Sequence, residues 1–240
     1  MERLTSNEYS EVNKYWKLNR ENRLNDERVK LFDYFNLDLK DKNILEMAAG
    51  AKGKISNFLH SKECNLTISD GRMVNIKSNI QNNNFSDVNY HIADYDKEDS
   101  IDKKYDVIFC CGLLYHLNNI ENVIKSIGEN CNDFAIISTC VKSKNKPSTI
   151  YDDDINNFTQ ALNGKGLSFS RETLKEELHK YFKYVCVPYY LPNDPSQFDL
   201  TWPTTRKGFH RQILFATNDK KFIDESKFSY ELLNEYKFLI

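Results

Sequence analysis

Glycine and proline are scarce in this chain, eight and five among 240 residues, and the glycines nowhere form a GxGxxG run. That run lets backbone approach a pyrophosphate at the start of a helix, so a dinucleotide loop of that kind is excluded. A P-loop is excluded too. Gly53-Lys54 matches its end, but Ala48 stands where its first glycine belongs and Ile55 where Ser or Thr is required. The six cysteines form no CxxC pair. They read as reduced thiols of a cytosolic protein rather than a disulfide framework or a zinc site, and no metal is expected. No apolar run approaches the roughly 20 residues of a membrane span. The opening MERLTSNEYSEVNKYW lacks the apolar core of a secretion signal. Lys and Arg number 33 against 35 Asp and Glu, a net charge of -2, so no basic field draws nucleic acid or an anionic membrane. Asparagine is abundant, which by itself speaks of coding bias more than of function.

What is present is a core-forming composition, 40% hydrophobic, enough for one globular domain. Tyr9, Val12 and Trp16 share a helical face, and a second helix carries Val29, Phe32 and Phe35. Short apolar runs then alternate with helical stripes. NILEM, LTIS, VNYHIA, YDVIFCC and DFAIIST read as strands, separated by stripes at Ile55/Phe58/Leu59, Met73/Ile76/Ile80 and Ile120/Val123/Ile127. A short helix bearing Ile155, Phe158 and Leu162 follows, then one capped by Ser170 with Leu174 and Leu178 inward. YVCVPYY and RQILFATN are the last strands, and Phe228, Leu232 and Tyr236 mark a closing helix. The alternation argues for an α/β, doubly wound, parallel sheet.

The turn after the first strand is poor in glycine but ordered in its chemistry. Glu46 ends the strand, Gly50 follows four residues later, and a helix begins near Lys52. This resembles the first motif of the class I S-adenosylmethionine-dependent methyltransferases, an acidic residue followed by glycines at alternate positions. Ala48 and Lys52 replace the flanking glycines, and an alanine costs little there if its φ is negative. Asp70 in LTISDGR stands at the tip of the second strand, and Asp94 and Tyr95 in HIADYD follow the third. YDVIFCCGLLYHLNN is similar to the family's strand that ends beneath the cofactor, with the Leu-Tyr-His run beginning the next helix. The four motifs occur in order between residues 43 and 118, and the resemblance covers roughly residues 30 to 217.

The resemblance implies a Rossmann-like doubly wound sheet of seven strands, mostly parallel with an antiparallel last strand and helices on both faces. It implies S-adenosylmethionine as cofactor, with S-adenosylhomocysteine as product. Glu46, Ala48 and Gly50 then hold the methionine end, Asp70 with Gly71 both ribose hydroxyls, and Asp94 with Tyr95 the adenine, while the backbone of Cys111 and Gly112 lies beside the cofactor. Residues 1–240 form a single domain. Residues 1–40 are expected as a helical cap from which Tyr15 and Arg20 reach the methionine carboxylate, and 222–240 as a C-terminal helix.

Methyl transfer to oxygen needs an aligned nucleophile and a proton acceptor. His116 is the expected base and Tyr115 a wall of the acceptor site. Ligands of this fold lie at the carboxyl ends of the parallel strands, which makes 141–170 and 189–210 acceptor-side insertions. Tyr151, Trp202, Arg206 and His210 are the substrate candidates there. Arg211 either joins them or points outward. An aromatic with arginines suits a sugar, phosphate or carboxylate. YDDDIN reads as a solvated helix start or a cation site, and His60, His91 and His179 as structural or solvated. The expected activity is methylation of a small molecule, by preference a hydroxyl of a sugar-like or phosphorylated metabolite. The expected enzyme is a cytoplasmic monomer or homodimer acting without nucleic acid or membrane. Two alternatives stay open. The Leu-Tyr-His segment also resembles transferases of the tRNA wobble base, and the degenerate loop suits a cofactor-binding regulator that transfers nothing.

Overall fold

The computed structural model describes residues 3–16, 19–97, 100–142, 147–157, 159–198 and 209–239. The first apolar stripes build α1 (Ser6–Trp16) and α2 (Asn19–Phe35). Leu24, Leu31, Phe32 and Phe35 recur at helical spacing on α2 and are buried. The expected alternation follows: β1 (Asn43–Met47), α3 (Lys54–His60), β2 (Asn65–Asp70), α4 (Met73–Asn83), β3 (Asn89–Ile92), β4 (Tyr105–Cys111), α5 (Ile120–Asn130) and β5 (Cys131–Lys142). Then come a hairpin of β6 (Thr149–Asp152) and β7 (Lys165–Ser168), α6 (Arg171–His179), β8 (Tyr184–Pro188), β9 (Tyr190–Leu191), α7 (Pro195–Phe198), β10 (Phe209–Thr217), β11 (Phe228–Ser229) and β12 (Lys237–Phe238).

The main sheet runs β11-β8-β10-β5-β4-β1-β2-β3. Strands β1 to β5 are parallel neighbours, and β10 runs antiparallel to both β5 and β8. Successive residues of each central strand feed opposite cores. Leu45 and Met47 pack with α5 and α6, while Ile44 packs with α2 and α3. Burial on both faces is what parallel strands covered by helices require. Strand order reverses between β1 and β4, and at such a switch point the carboxyl ends diverge into a crevice.

Four expectations are corrected. The sheet has eight strands rather than seven, because β11 adds a short edge pairing of Phe228 with Pro188 and Ser229 with Val187. Residues 222–240 form no helix among the described residues. Phe228 is buried against Phe35 and Phe215 at ring distances of 4.8 and 5.0 Å, and β12 pairs with β9, so the open backbone of the sheet edge outcompetes helix propensity. The stretch bearing Ile155 and Leu162 is a chain of turns instead of a helix. The side chains of Asp154 and Asn157 accept the amides of Asn156 and Thr159, local bonds that compete with helix formation. The Leu-Tyr-His run is one 3-10 turn, and α5 begins later, capped by Asn119. Ser170 caps α6 as expected, accepting the Thr173 amide at 3.1 Å.

The turn between β1 and α3 is held from outside. Ala48, Gly50 and Gly53 have φ of 52, 63 and 61°. The negative φ at which an alanine would cost little is not adopted, and an L-residue in that region costs about 1–2 kcal/mol. Asparagines of α4 meet the turn's carbonyls: Asn79 Nδ2 donates to Gly50 O at 3.1 Å, Asn82 to Ala51 O at 2.7 Å and Asn83 to Lys52 O at 3.2 Å. Coding bias is therefore not the whole reason for the asparagine content. Ala48→Gly should relieve the strain. After the added flexibility of the unfolded chain is subtracted, a gain of about 0.5–1 kcal/mol is expected in urea unfolding. No gain would show that the asparagine bonds already absorb the strain.

Candidate active site

Two cavities meet at the switch point. The smaller, about 590 Å³, is walled by Asp70 and Gly71 after β2, Asp94 and Tyr95 after β3, and Leu113 and Leu117 after β4. The larger, about 1200 Å³, is walled by Glu46, Cys111, Tyr115, Arg28 and Arg211. Ala48, Gly112, His116, Thr159 and Gln160 line both, so they form one cleft with a waist at His116.

Asp70 sits in the wall of the smaller cavity with its carboxylate already engaged. It accepts the amides of Gly50 at 3.1 Å and Arg72 at 2.9 Å, and Asn75 Nδ2 at 3.1 Å. Burial pushes its carboxyl upward, against these bonds. A carboxylate has about four lone-pair positions, so room remains for one further donor rather than the two ribose hydroxyls implied by the resemblance. Tyr95 is buried and donates to Ser69 Oγ at 2.7 Å. Asp94 Oδ2 lies 3.5 Å from Lys97 Nζ. In the larger cavity burial pushes Glu46 up to about 8, opposed by a hydrogen bond with Ser56 and reinforced by Asp70. Its Oε2 has no partner among the described residues.

The segment after β6 roofs the smaller cavity. Arg72 reaches up to the carbonyls of Gln160 at 2.9 Å, Ala161 at 3.4 Å and Ile155 at 3.5 Å. A Cβ at Gly71 would stand 2.3 Å from Leu162 Cδ1, so glycine lets the roof come down. The same segment supplies Asp153, whose Oδ2 lies 3.0 Å from His116 Nδ1 and 3.2 Å from the Ala161 amide. Burial acts to raise the Asp153 carboxyl, but the bonds from His116 and Ala161 outweigh it and hold the group below the ordinary range. It is therefore an anion at neutral pH and an acceptor to which Nδ1 donates, so that in the neutral form of the imidazole Nε2 is the nitrogen with a lone pair.

Glu46, Ala48, Asp70, Gly71, Asp94, Tyr95, Cys111, Gly112, Tyr115 and His116 thus all border the cleft. Gly50 does not; its amide is turned to Asp70, and Ala48 and Ala49 face the cavity. Tyr151 lines neither cavity and instead buttresses Tyr115, donating to its carbonyl at 2.7 Å. His210 is buried on β10 and lines neither, while its neighbour Arg211 does, as strand alternation demands. Trp202 and Arg206 lie outside the described residues, as do the side chains of Tyr15 and Arg20. His60 pairs with Asp87, and His91 with the Ser100 carbonyl. Two residues were not singled out in the sequence. Asp153 was hidden in an acidic run, and Arg28 in the α2 stripe, where a charge between Leu24 and Leu31 was the available signal. Among the described residues no cluster of His, Cys, Asp or Glu could hold a metal ion, and no helix is long and apolar enough to cross a membrane.

The sequence matches a family model described as methyltransferase domain over residues 15–185. No curated protein matches it. Structures of similar fold include the N-terminal domain of EvdMO1 with SAH bound, 17% identical with a TM-score of 0.61 over 79% of each chain. The same domain in the presence of SAH and D-fucose is 15% identical, with a TM-score of 0.62 over 81% of this chain and 82% of that one. An S-adenosylmethionine-dependent methyltransferase from Clostridium acetobutylicum ATCC 824 is 14% identical, with a TM-score of 0.56 over 87% of this chain and 97% of its own. At such identities the likeness is one of fold.

Two outcomes are expected of the cleft. Asp70→Ala should weaken binding of SAH in calorimetry by about 1.5–3 kcal/mol, since it removes an acceptor and frees the Gly50 turn; unaltered affinity would leave Asp70 a purely internal brace. Glu46 is held protonated up to about 8 in the folded protein, against an ordinary value of 4.5. The stability this lends is full below the ordinary value and lost as pH rises through about 8. Glu46→Gln stays neutral and should gain on the native protein between pH 5 and 8, by at most about 4 kcal/mol, in thermal unfolding. A difference that does not vary with pH would show an ionised Glu46.

Proposed function

The chain belongs to the methyltransferase-domain family, as a class I S-adenosylmethionine-dependent methyltransferase, and from that premise we propose that it methylates a hydroxyl of a sugar-like or phosphorylated small molecule. S-adenosylmethionine, when bound, supplies a methyl group on a sulfonium centre together with its leaving group. The residues of the smaller cavity suit its adenosine end, with Asp70 and Asp94 as acceptors and Leu113 and Leu117 as apolar wall. The Ala48 turn and Glu46, with Oε2 lacking a partner among the described residues, suit the methionine end.

The observation that carries the hydroxyl reading is the pairing of His116 with Asp153 at the waist of the cleft. A hydroxyl must lose its proton as it is methylated, to an acceptor within about 3 Å or one water away. Asp153 fixes the imidazole tautomer and steadies the positive charge His116 gains on taking that proton. Tyr115, its ring 4.0 Å from that of His116, forms a flat wall against which a sugar ring or planar acceptor can lie. Thr159 and Gln160 of the roof line the cleft beside His116. A sugar-like acceptor is also in keeping with the EvdMO1 domain studied in the presence of D-fucose.

The test is an acceptor screen by mass spectrometry with S-adenosylmethionine, followed by variants. His116→Ala should lower turnover by roughly 100-fold or more while leaving SAH affinity intact. Asp153→Asn should lower it by about tenfold or more through the wrong tautomer and alter the pH profile of turnover. Full turnover in His116→Ala, or methyl transfer to tRNA alone, overturns the proposal.

A further inference from the structure

The hairpin of β6 and β7 stands outside the main sheet, yet it reaches the cleft with alternate residues. Along β6 and just beyond it, Ile150, Asp152 and Asp154 are exposed while Tyr151 and Asp153 are half-buried, the period of two that extended chain imposes. The two inward residues grip consecutive residues of one turn. Tyr151 Oη donates to the Tyr115 carbonyl at 2.7 Å, and Asp153 Oδ2 lies 3.0 Å from His116 Nδ1.

The backbone of that turn explains the grip. Tyr115 and His116 belong to a single 3-10 turn, Leu114–His116. Its own hydrogen bonds stop early. His116 and Leu117 donate to the carbonyls of Leu113 and Leu114, but the Asn118 amide, next in line, goes to Asp96 Oδ1 at 2.7 Å. The Tyr115 carbonyl is thus one of the acceptors that a helix end hands to a side chain, and Tyr151 takes it. Burial pushes the Tyr151 phenol up, which keeps it a donor. Gly166, opposite Tyr151 in the hairpin, makes the approach possible. A Cβ there would stand 2.4 Å from Tyr151 Cζ and 2.6 Å from the Tyr115 carbonyl oxygen. A bond between the hydroxyls of Thr149 and Ser168, at 2.7 Å, ties the two strands in register. A slip by one residue would turn both inward side chains away from the turn.

We propose that Tyr151 is a positioning residue for methyl transfer: with Gly166 against its ring, it pins the Tyr115–His116 turn so that the imidazole keeps its pairing with Asp153 and the Tyr115 wall keeps its place beside it. This rests on the methyl-transfer reading above and deepens it, because base and wall are then set together by one hairpin. Tyr151 lines neither cavity, so it acts through the turn and not on the ligand. Small losses of alignment suffice for a large effect, since a displacement of about 1 Å can cost on the order of 100-fold in rate.

The test is heteronuclear NMR of the imidazoles in the full chain saturated with SAH, the His116 signals being identified by their loss in His116→Ala. Measured where its ring is neutral, native His116 should carry its proton on Nδ1. Tyr151→Phe keeps the ring and removes the hydroxyl, and it should raise the share of the other tautomer, as should Gly166→Ala. Ile150→Ala, outward on the same strand and 62% exposed, should match the native protein. SAH affinity should be unaltered in Tyr151→Phe, which also shows that it folds. With the acceptor from the mass-spectrometric screen, Tyr151→Phe should lower kcat by roughly tenfold or more and leave the KM for S-adenosylmethionine unchanged. Native tautomer populations or native kcat in Tyr151→Phe overturns the proposal. So does loss of SAH affinity, which makes Tyr151 a brace of the whole cleft. If the intact protein bound no SAH, the methyl-transfer reading would fail instead. The tautomer populations of the free protein would then still tell a positioning hydroxyl from an inert one.

Discussion

A carboxylate withdrawn from water has to be surrounded by donors, and the need of Asp70 organises the cleft. Its three donors come from the turn after β1, from the residue that opens α4 and from the first turn of that helix. The turn therefore cannot shift without α4. The asparagines further along α4 extend the same fastening, and Tyr9 of α1 joins it by donating to Asn82 Oδ1 at 2.5 Å. A turn that is short of glycine, with an alanine in the left-handed region, is kept in shape by amides from outside it.

The cleft built on this fastening has two electrostatic characters. The smaller cavity is bordered by Asp70, Asp94 and Asp96 with Arg72, the larger by Arg28, Arg211, Lys14 and Lys54 with Glu46. Such a division matches a ligand with hydroxyls and an amino group at one end and an anion near the other. His116 stands where the two meet. Its companion Asp153 is carried on the roof that Arg72 fastens, so the cover of the smaller cavity and the orientation of the imidazole depend on one segment.

The sheet was legible because its strands are short apolar runs between helical stripes, and because the reversal after β3 follows from the order of motifs. What tertiary context decided was not legible. Phe228, Leu232 and Tyr236 keep a helical period, yet the nearby edge of β8 claims Phe228 for a strand. The acid run at 152–154 offered a helix start or a cation site; Asp153 instead answers a histidine 37 positions before it, a distance that local pattern does not span. Arg211 was ambiguous because period two fixes alternation without fixing which face is which. Burial of Leu214 and Ala216 in one core and of Ile213 and Phe215 in the other settles it only once the sheet is assembled.

The fastening of the turn by side-chain amides has a chemical consequence. Asparagine is among the residue types that heat degrades. Hydrolysis of the Asn82 amide would replace a donor to the Ala51 carbonyl with an anionic oxygen facing it, turning attraction into repulsion at one stroke. Damage at Asn82 would thus fall on the turn beside the cleft and leave the strands of the sheet untouched.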